Sequence, residues 1–307
     1  MHIPGGFIDN LTCVWTSSLA IGALGVAAVR LRKNQKSEAH QHISAVAVAG
    51  TGAGIFALQM LNFPISATVS GHVLGGALAA IALGPWLGIY CMASVLLVQC
   101  VLFGDGGLDA LGANVLNMAV VGCSVGHLVH SRLLRRTTFA STVLAGSFAA
   151  WASVLAASLL CAVELALSGT AGSWELLSNL LASHAVIGLG EALCTAIALV
   201  VILQLSKSSV GLPWRASAKV AISAGMLAML LLTPLRATTP DGLEAASEQL
   251  GFAHLARLPD FALMPSYMVA AIPSTWFSSL VAGLLGIVTM WALGHLLGKS
   301  LRTHSLK

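Results

Sequence analysis

Charge is what this chain has least of: 8% of its 307 residues are Asp, Glu, Lys or Arg, while 57% are hydrophobic. Soluble domains carry roughly 25% charged residues, so the polar surface of a water-soluble fold is missing. The 6 cysteines form no CxxC pair and lie in or beside apolar runs. They read as small buried residues, not as a disulfide framework or a zinc site. No GxxxxGK[ST] phosphate loop occurs, so nucleotide hydrolysis would have to come from another protein. No HExxH motif occurs either, which leaves an intramembrane metalloenzyme without a water-activating base. No basic stretch precedes the first apolar run, so a signal peptide is not expected and Met1 is expected to remain the true N-terminus. No repeat relates the two halves, which gives an inverted-repeat transporter no support.

What the chain does hold is a series of apolar runs, each near the length of about 20 residues that a hydrocarbon core of about 30 Å requires. Nine candidate spans fall near 11–30, 43–61, 70–84, 86–103, 114–131, 138–166, 177–205, 216–235 and 275–297. The expected fold class is therefore all-α, a polytopic membrane helical bundle of about nine transmembrane helices. The third span is short and glycine-rich and closes at Gly84-Pro85, predicting a tight hairpin with the fourth. With the N-terminus outside and the C-terminus inside, 13 of the 15 Lys and Arg fall on the inner side, leaving Arg236 and Arg257; this is the positive-inside pattern. Acidic residues such as Asp9, Asp105, Asp109 and Asp241 then face outward. They would concentrate a cation there, or merely reflect charge segregation. A polar seam at 206–219 predicts two modules, 1–207 and 208–307, the second having two helices around an extracytoplasmic segment, 236–274.

The chain begins Met1-His2-Ile3-Pro4. The Met1 amine, the His2 main-chain nitrogen and the His2 imidazole can close fused chelate rings on one cation. Such coplanar nitrogen donors suit square-planar Ni(II) or Cu(II); the alternative is an exposed, idle histidine. His72 follows Ser70-Gly71 at the outer start of the third span. Polar side chains at membrane depth usually face the protein interior and mark a functional path. Gly71 and Gly75 form a small-xxx-small step that admits another backbone, so an N-terminus folded inward can reach this imidazole and gain a fourth nitrogen. A histidine simply hydrogen-bonded between helices is the alternative. His184 and Glu191, seven apart, share one face of the seventh span. An ionised Glu191 at membrane depth must be paired, hydrated or protonated; a structural role, or one orienting the ligands, is favoured. His127 and His130 read as a solvated or interfacial pair. Asp241, Glu244 and Glu248 open a short amphipathic helix, where they either help load a cation or solubilise the loop.

Five stretches carry a resemblance: Met1-His2-Ile3-Pro4 with Gly6-Phe7; Gln59 to Pro64; Ser70-Gly71-His72 with Gly75-Gly76-Ala77; Gly112-Ala113-Asn114 with Asn117-Met118; and His184-Ala185 with Gly188 and Gly190-Glu191-Ala192. In that order they resemble the substrate-binding membrane component of energy-coupling-factor transporters for nickel and cobalt, the CbiM/NikM family. Pro240-Asp241-Gly242-Leu243-Glu244, between two helices, resembles the small N component found beside these proteins or fused to them. One departure is Gly5, where the family usually has Asp, which puts in question any hydrogen bond that acid would make. The resemblance implies Met1 (amine), His2 (amide and imidazole) and His72 as metal ligands, with Asn62 and Ser70, and with His184 and Glu191, as candidates around them. It also implies partners: a transmembrane coupling subunit and cytoplasmic ATPase subunits, besides membrane lipid, and no nucleic acid. The ion is cargo, not a resident cofactor. Multi-pass residence in a bacterial inner membrane is expected. Ala23 and Ala27 offer a docking face for the coupling subunit, or ordinary internal packing. Nickel is favoured over cobalt, with cobalt import for cobalamin synthesis as the alternative and a metal-binding membrane scaffold as the alternative of another class.

Overall fold

In hydrocarbon only a closed backbone hydrogen-bond pattern is tolerated, so long apolar runs become helices. In the computed structural model, which describes residues 1–35, 45–134, 138–207, 237, 239–257, 259 and 261–303, they do. Among the described residues, six helical runs are long and apolar enough to cross a membrane: Asn10–Lys33, Pro85–Phe103, Leu111–Leu133, Phe139–Leu167, Trp174–Gln204 and Thr275–Ser300. The chain is thus a mostly helical, multi-pass protein. The second candidate span is a helix of 15 residues, α2 (Ala45–Gln59). The candidate at 216–235 lies outside the described residues.

The third candidate span differs from expectation in kind. Only its second half is helical, α3 (Gly76–Leu83), 8 residues long, or ~12 Å at 1.5 Å per residue. Its first half is extended. β1 (Phe63–Pro64) and β2 (Ser70–Gly71) pair antiparallel, Phe63 opposite Gly71 and Pro64 opposite Ser70. Pro64 cannot continue a helical ladder, and Gly75, at φ 84°, turns the chain from the strand into α3. His72 is therefore delivered by extended backbone at the mouth of the bundle. The hairpin at Gly84-Pro85 forms as the sequence predicts: Gly84 has φ 80° and Pro85 opens α4 (Pro85–Val98), where its missing N–H costs nothing.

Two helices carry π turns, which recur at functional sites. One, Gln99–Phe103, extends α4. The other, Val115–Val121, joins α5 (Leu111–Asn114) to α6 (Gly122–Leu133). α1 (Asn10–Gln35) turns Leu11, Val14, Leu19, Ile21, Val26 and Val29 outward. α7 (Phe139–Leu167) and α8 (Ser173–Lys207) form a long pair, in which Trp151 Nε1 donates to the Ala185 carbonyl at 3.1 Å. The short helix α9 (Gly242–Gln249) lies outside the spans, and the last helix, α10 (Thr275–Thr303), runs along α2. Gly294 and Gly298 set it against Ala49 and Ala45, and Gly286 against Phe56. Phe56, Phe103, Tyr267, Ile287 and Met290 share one apolar cluster, so residues from both predicted modules pack together.

Phe56 is fully buried, and a Cβ at position 286 would overlap its ring. Gly286→Ala is expected to cost about 1–3 kcal/mol through overpacking. Thermal unfolding of the purified chain in detergent would show it as a lowered midpoint, with helix content unchanged below the transition.

Candidate metal centre

The first residues of the chain are buried: Met1 is 3% exposed and Ile3 is 0%. Main-chain polar groups taken into such a place need partners, and Asn114 supplies two. Its Oδ1 accepts from Ile3 N at 2.7 Å and its Nδ2 donates to Ile3 O at 3.1 Å. Gly107 N donates to the same carbonyl at 2.9 Å. Further along, Gly5 O accepts from Arg257 N at 2.8 Å and Phe7 O from the Thr170 hydroxyl at 2.5 Å. Ile3, Phe7 and Ile8 then pack with Cys161, Leu165, Leu176 and Phe252. The leading segment is thus sewn into one end of the bundle.

This brings the Met1 nitrogen to 3.1 Å from His72 Nε2. His72 Nδ1 lies 3.0 Å from the Val73 carbonyl. That oxygen only accepts, so a neutral ring carries its proton on Nδ1 and turns the Nε2 lone pair to Met1. The His2 ring stacks on that of His72, with centroids 5.2 Å apart. His2 Nε2 is 3.1 Å from Gln99 Oε1, and Nδ1 is 3.2 Å from Asp105 Oδ1. Asp105 Oδ2 in turn accepts from the Tyr267 hydroxyl at 2.5 Å. The Met1 amine also pairs with Asp241 Oδ2 at 2.5 Å. The His2 main-chain nitrogen has no hydrogen-bond partner among the described residues.

Metal–nitrogen bonds of ~2.0–2.1 Å put neighbouring donors at right angles ~2.9 Å apart. The Met1–His72 spacing is close to that. Among the described residues no three His, Cys, Asp or Glu side chains form a cage by themselves, so the cluster depends on the main-chain nitrogens of residues 1 and 2. Burial alone would depress the Met1 ammonium. The Asp241 carboxylate beside it, with smaller help from Asp105 and Glu244, outweighs that and holds it above its ordinary 8.0. Burial holds His2 below the usual imidazole range against the pull of Asp105. His72 is lowered to about 3, first by burial, then by the Met1 ammonium and His2. Burial would raise Asp105 and Asp241, yet both are held below the usual carboxylate range, Asp105 by His2 and the Tyr267 hydroxyl, Asp241 by the Met1 ammonium and His72.

The other expected residues lie around this centre without touching its nitrogens. Glu191 accepts from Leu74 N at 2.5 Å and Gly75 N at 2.7 Å, while Gln59 Nε2 donates to Leu74 O at 2.6 Å. These bonds fix the backbone that follows His72. Ser70 grips the distal part of the chain, its nitrogen donating to Pro240 O at 2.8 Å and its hydroxyl to Thr239 O at 2.6 Å. Asn62 meets the same segment through its carbonyl, which accepts from Ala237 N at 2.9 Å. His184 is buried against Gly242, with Nδ1 2.8 Å from the Leu180 carbonyl. At Gly5, a side chain would point at Asp109, whose Oδ1 lies 3.1 Å from the Cβ position and whose Oδ2 accepts from Gly6 N at 3.3 Å. A carboxylate thus stands next to residue 5 although that residue has none.

Sequence reasoning gave no role to Gln99, placed Asp105 only on an acidic outer face and Asn114 only in a stretch that carries the resemblance, and did not foresee Asp241 as the partner of Met1. Gln99 was findable as an uncharged polar residue within an apolar run, the kind that faces inward. Asp105 sits in Gly104-Asp105-Gly106-Gly107, a loop whose glycines at φ 66° and 89° let it fold tightly over residues 2 and 3.

The family model described as CbiM, the cobalt uptake substrate-specific transmembrane region, matches residues 2–209. A protein of Archaeoglobus fulgidus named as a fused nickel transport protein NikMN is 35% identical over 99% of this chain and 100% of its own length. The fused nickel transport protein NikMN of Rhodobacter capsulatus is 37% identical over 53% of this chain and 46% of its own. The cobalt transport protein CbiM of Salmonella typhimurium is 39% identical over 42% and 51%. The crystal structure of a truncated transition metal transporter, 30% identical, superposes with a TM-score of 0.59 over 66% of this chain and 99% of its own. The chain belongs to the CbiM family of nickel and cobalt transport proteins.

Removing Glu191 would leave two buried N–H groups next to His72 without an acceptor. Each such group costs about 1–3 kcal/mol. Glu191→Ala is therefore expected to lower the thermal unfolding midpoint of the purified chain, with Glu191→Gln, which keeps one acceptor, recovering part of the loss. Thermal melts of both variants in detergent would measure this.

Proposed function

We propose that this member of the CbiM family captures Ni(II), in preference to Co(II), at the outer face of the membrane and passes it inward when partner subunits hydrolyse ATP. The Met1 amine, the His2 main-chain nitrogen and imidazole, and His72 Nε2 are the ligands. The observation that carries this reading is the Met1 nitrogen buried 3.1 Å from an imidazole nitrogen whose lone pair faces it. The unpartnered main-chain nitrogen of His2 between two candidate donors supports it further.

Four nitrogens near one plane suit Ni(II), since square-planar N and O sites favour Ni(II) or Cu(II), and the two NikMN relatives are named for nickel. Cobalt is the second reading, supported by the family's description and by the Salmonella relative's name. The bundle has about nine spans in a bacterial inner membrane, N-terminus outside and C-terminus inside, with residues 1–207 as the capture module and 208–307 as the accessory one. The chain has no phosphate loop, so two cytoplasmic ATPase subunits and a transmembrane coupling subunit supply the energy. Ala27 is fully buried, which puts that residue in internal packing, so the coupling subunit would meet the outward apolar face of α1, with Leu19, Ile21 and Val26, instead.

Capture replaces protons. In the metal-free chain the Met1 amine is protonated and pairs with Asp241; the cation takes its lone pair and the proton leaves. Because the amine is held above its ordinary value, that proton is present throughout the neutral range and competes with the metal. The imidazoles are held low; His72 Nε2 presents its lone pair, while His2 gives up its contact with Asp105 to present Nδ1. Release requires the reverse motion: partners pull the leading segment away from His72 and break the chelate one donor at a time.

One residue added before Met1, or His72→Ala, is expected to strip nickel from the purified chain and abolish uptake of both radioisotopes; retained metal would refute the ligand set. Affinity is also expected to rise with pH between about 5 and 8, by about tenfold per unit for each proton displaced. Nickel titrations in a pH series measure this slope, and a flat profile would count against the amine as a ligand.

A further inference from the structure

The centre is assembled from both ends of the described chain, and its direct contact from the distal end is Asp241. Its two carboxylate oxygens are committed to different tasks. Oδ1 caps α9, accepting from Leu243 N at 2.8 Å and Glu244 N at 2.9 Å, while Glu244 Oε2 returns a bond from Asp241 N at 2.9 Å. That capping box fixes the side chain. Oδ2 then points at Met1: it lies 2.5 Å from the amine but 3.8 Å from His72 Nε2, bonding the first and not the second. The residues leading to Asp241 are docked as well, Ser70 holding the carbonyls of Thr239 and Pro240. Asp241 is thereby tied to the strand that presents His72, so the carboxylate and the imidazole keep their spacing together.

We propose that Asp241 is a positioning residue for cation binding, its Oδ2 holding the Met1 nitrogen in place by a hydrogen bond both before and after the cation arrives. This rests on the ligand set proposed above. An amine that gives its lone pair to a metal keeps two hydrogens, so it can bond the cation and Oδ2 at once. Carboxylates that take a hydrogen bond from a ligand orient it and strengthen its donation. Asp241 also puts a negative charge beside a cation in a buried place, where unbalanced charge is costly. The freely rotating tip of the chain is the ligand that most needs such a hold. Asp241 therefore links the distal part of the chain to the amine, its Oδ1 capping α9 and its Oδ2 on Met1.

The test is Ni(II) titration of the full chain in detergent at one fixed pH, with dissociation followed by a chelator chase. Asn caps helices as well as Asp does, so Asp241→Asn keeps α9 while weakening the hold on Met1. It is expected to lower affinity about 10–100-fold, mainly through faster release. Glu244→Gln keeps the capping box, since Gln accepts at that position as Glu does, removes only the Glu244 charge, and is expected to stay within about twofold of the native chain. The absorption bands of bound Ni(II) are expected to keep their positions in Asp241→Asn, because the ligand atoms are unchanged. Native affinity in Asp241→Asn, an equal loss in Glu244→Gln, or a band shift that makes Asp241 a ligand would each overturn the proposal. His2→Ala separates the two readings: if it still binds nickel, the ligand set itself is wrong; if it does not, and Asp241→Asn binds normally, only the positioning role falls.

Discussion

A charged amine does not enter an apolar bundle unless something there compensates it. The start of this chain enters because Asp241 meets its charge and His72 its hydrogen-bonding capacity. Much of the surrounding architecture follows from keeping those groups in register. Asn114 clamps residue 3 and so restrains residues 1 and 2. Glu191 ties down the backbone beyond His72. Gln99 and Asp105 bracket the His2 ring from two sides. Removing the amine would leave Asp241 half-buried without its cation and His72 Nε2 facing empty space.

The irregular backbone lies where this centre needs it. A helix presents side chains at fixed steps of about 100°, and an unbroken third helix would have carried His72 away along its axis. The extended stretch through Ser70 and Gly71 instead sets the imidazole at the mouth of the bundle and offers an edge that accepts Thr239 and Pro240. The π turns at Gln99 and after Asn114 add a residue to a helical turn, and polar side chains at both places reach the leading segment. Ser266 and Tyr267, both non-glycine residues at positive φ (53° and 59°), hold the Tyr267 hydroxyl on Asp105. Such conformations cost free energy and persist where neighbours enforce them.

Most of this fold was legible in composition, since hydrocarbon permits few backbone solutions and the long runs at 86–103, 138–166 and 177–205 could only be helices. The hairpin at Gly84-Pro85 was legible for the same local reason. The third span was not, because apolar residues in 70–84 satisfy helix and strand alike, and the decision rests on pairing with Phe63–Pro64 that no local pattern records. In the centre, Met1, His2 and His72 were singled out from their chemistry, and the fold brings them together. Asn62 and Ser70 were singled out as candidates around that set, and both bond the distal segment. Asp241 was read as part of an acidic helix start, which it is, with one oxygen. The second oxygen's partner lies 240 positions away, and only folding brings them together.

Charge explains why such a centre would favour divalent ions. On the proposed ligand set, the metal-free centre holds one ammonium against Asp105 and Asp241. Loading a divalent ion expels the amine proton and the His2 amide proton, so the charges added and removed are equal. The buried charge is the same before and after, and binding then depends on nitrogen–metal bonding and geometry instead of on the large solvation penalty of a buried unbalanced charge. A monovalent ion displacing the same protons would leave the centre one charge too negative, and a trivalent ion one too positive. The same neutrality makes the loaded state comfortable, with no internal repulsion to eject the ion. On that ligand set, discharge would come from moving the leading segment off His72, which is mechanical work.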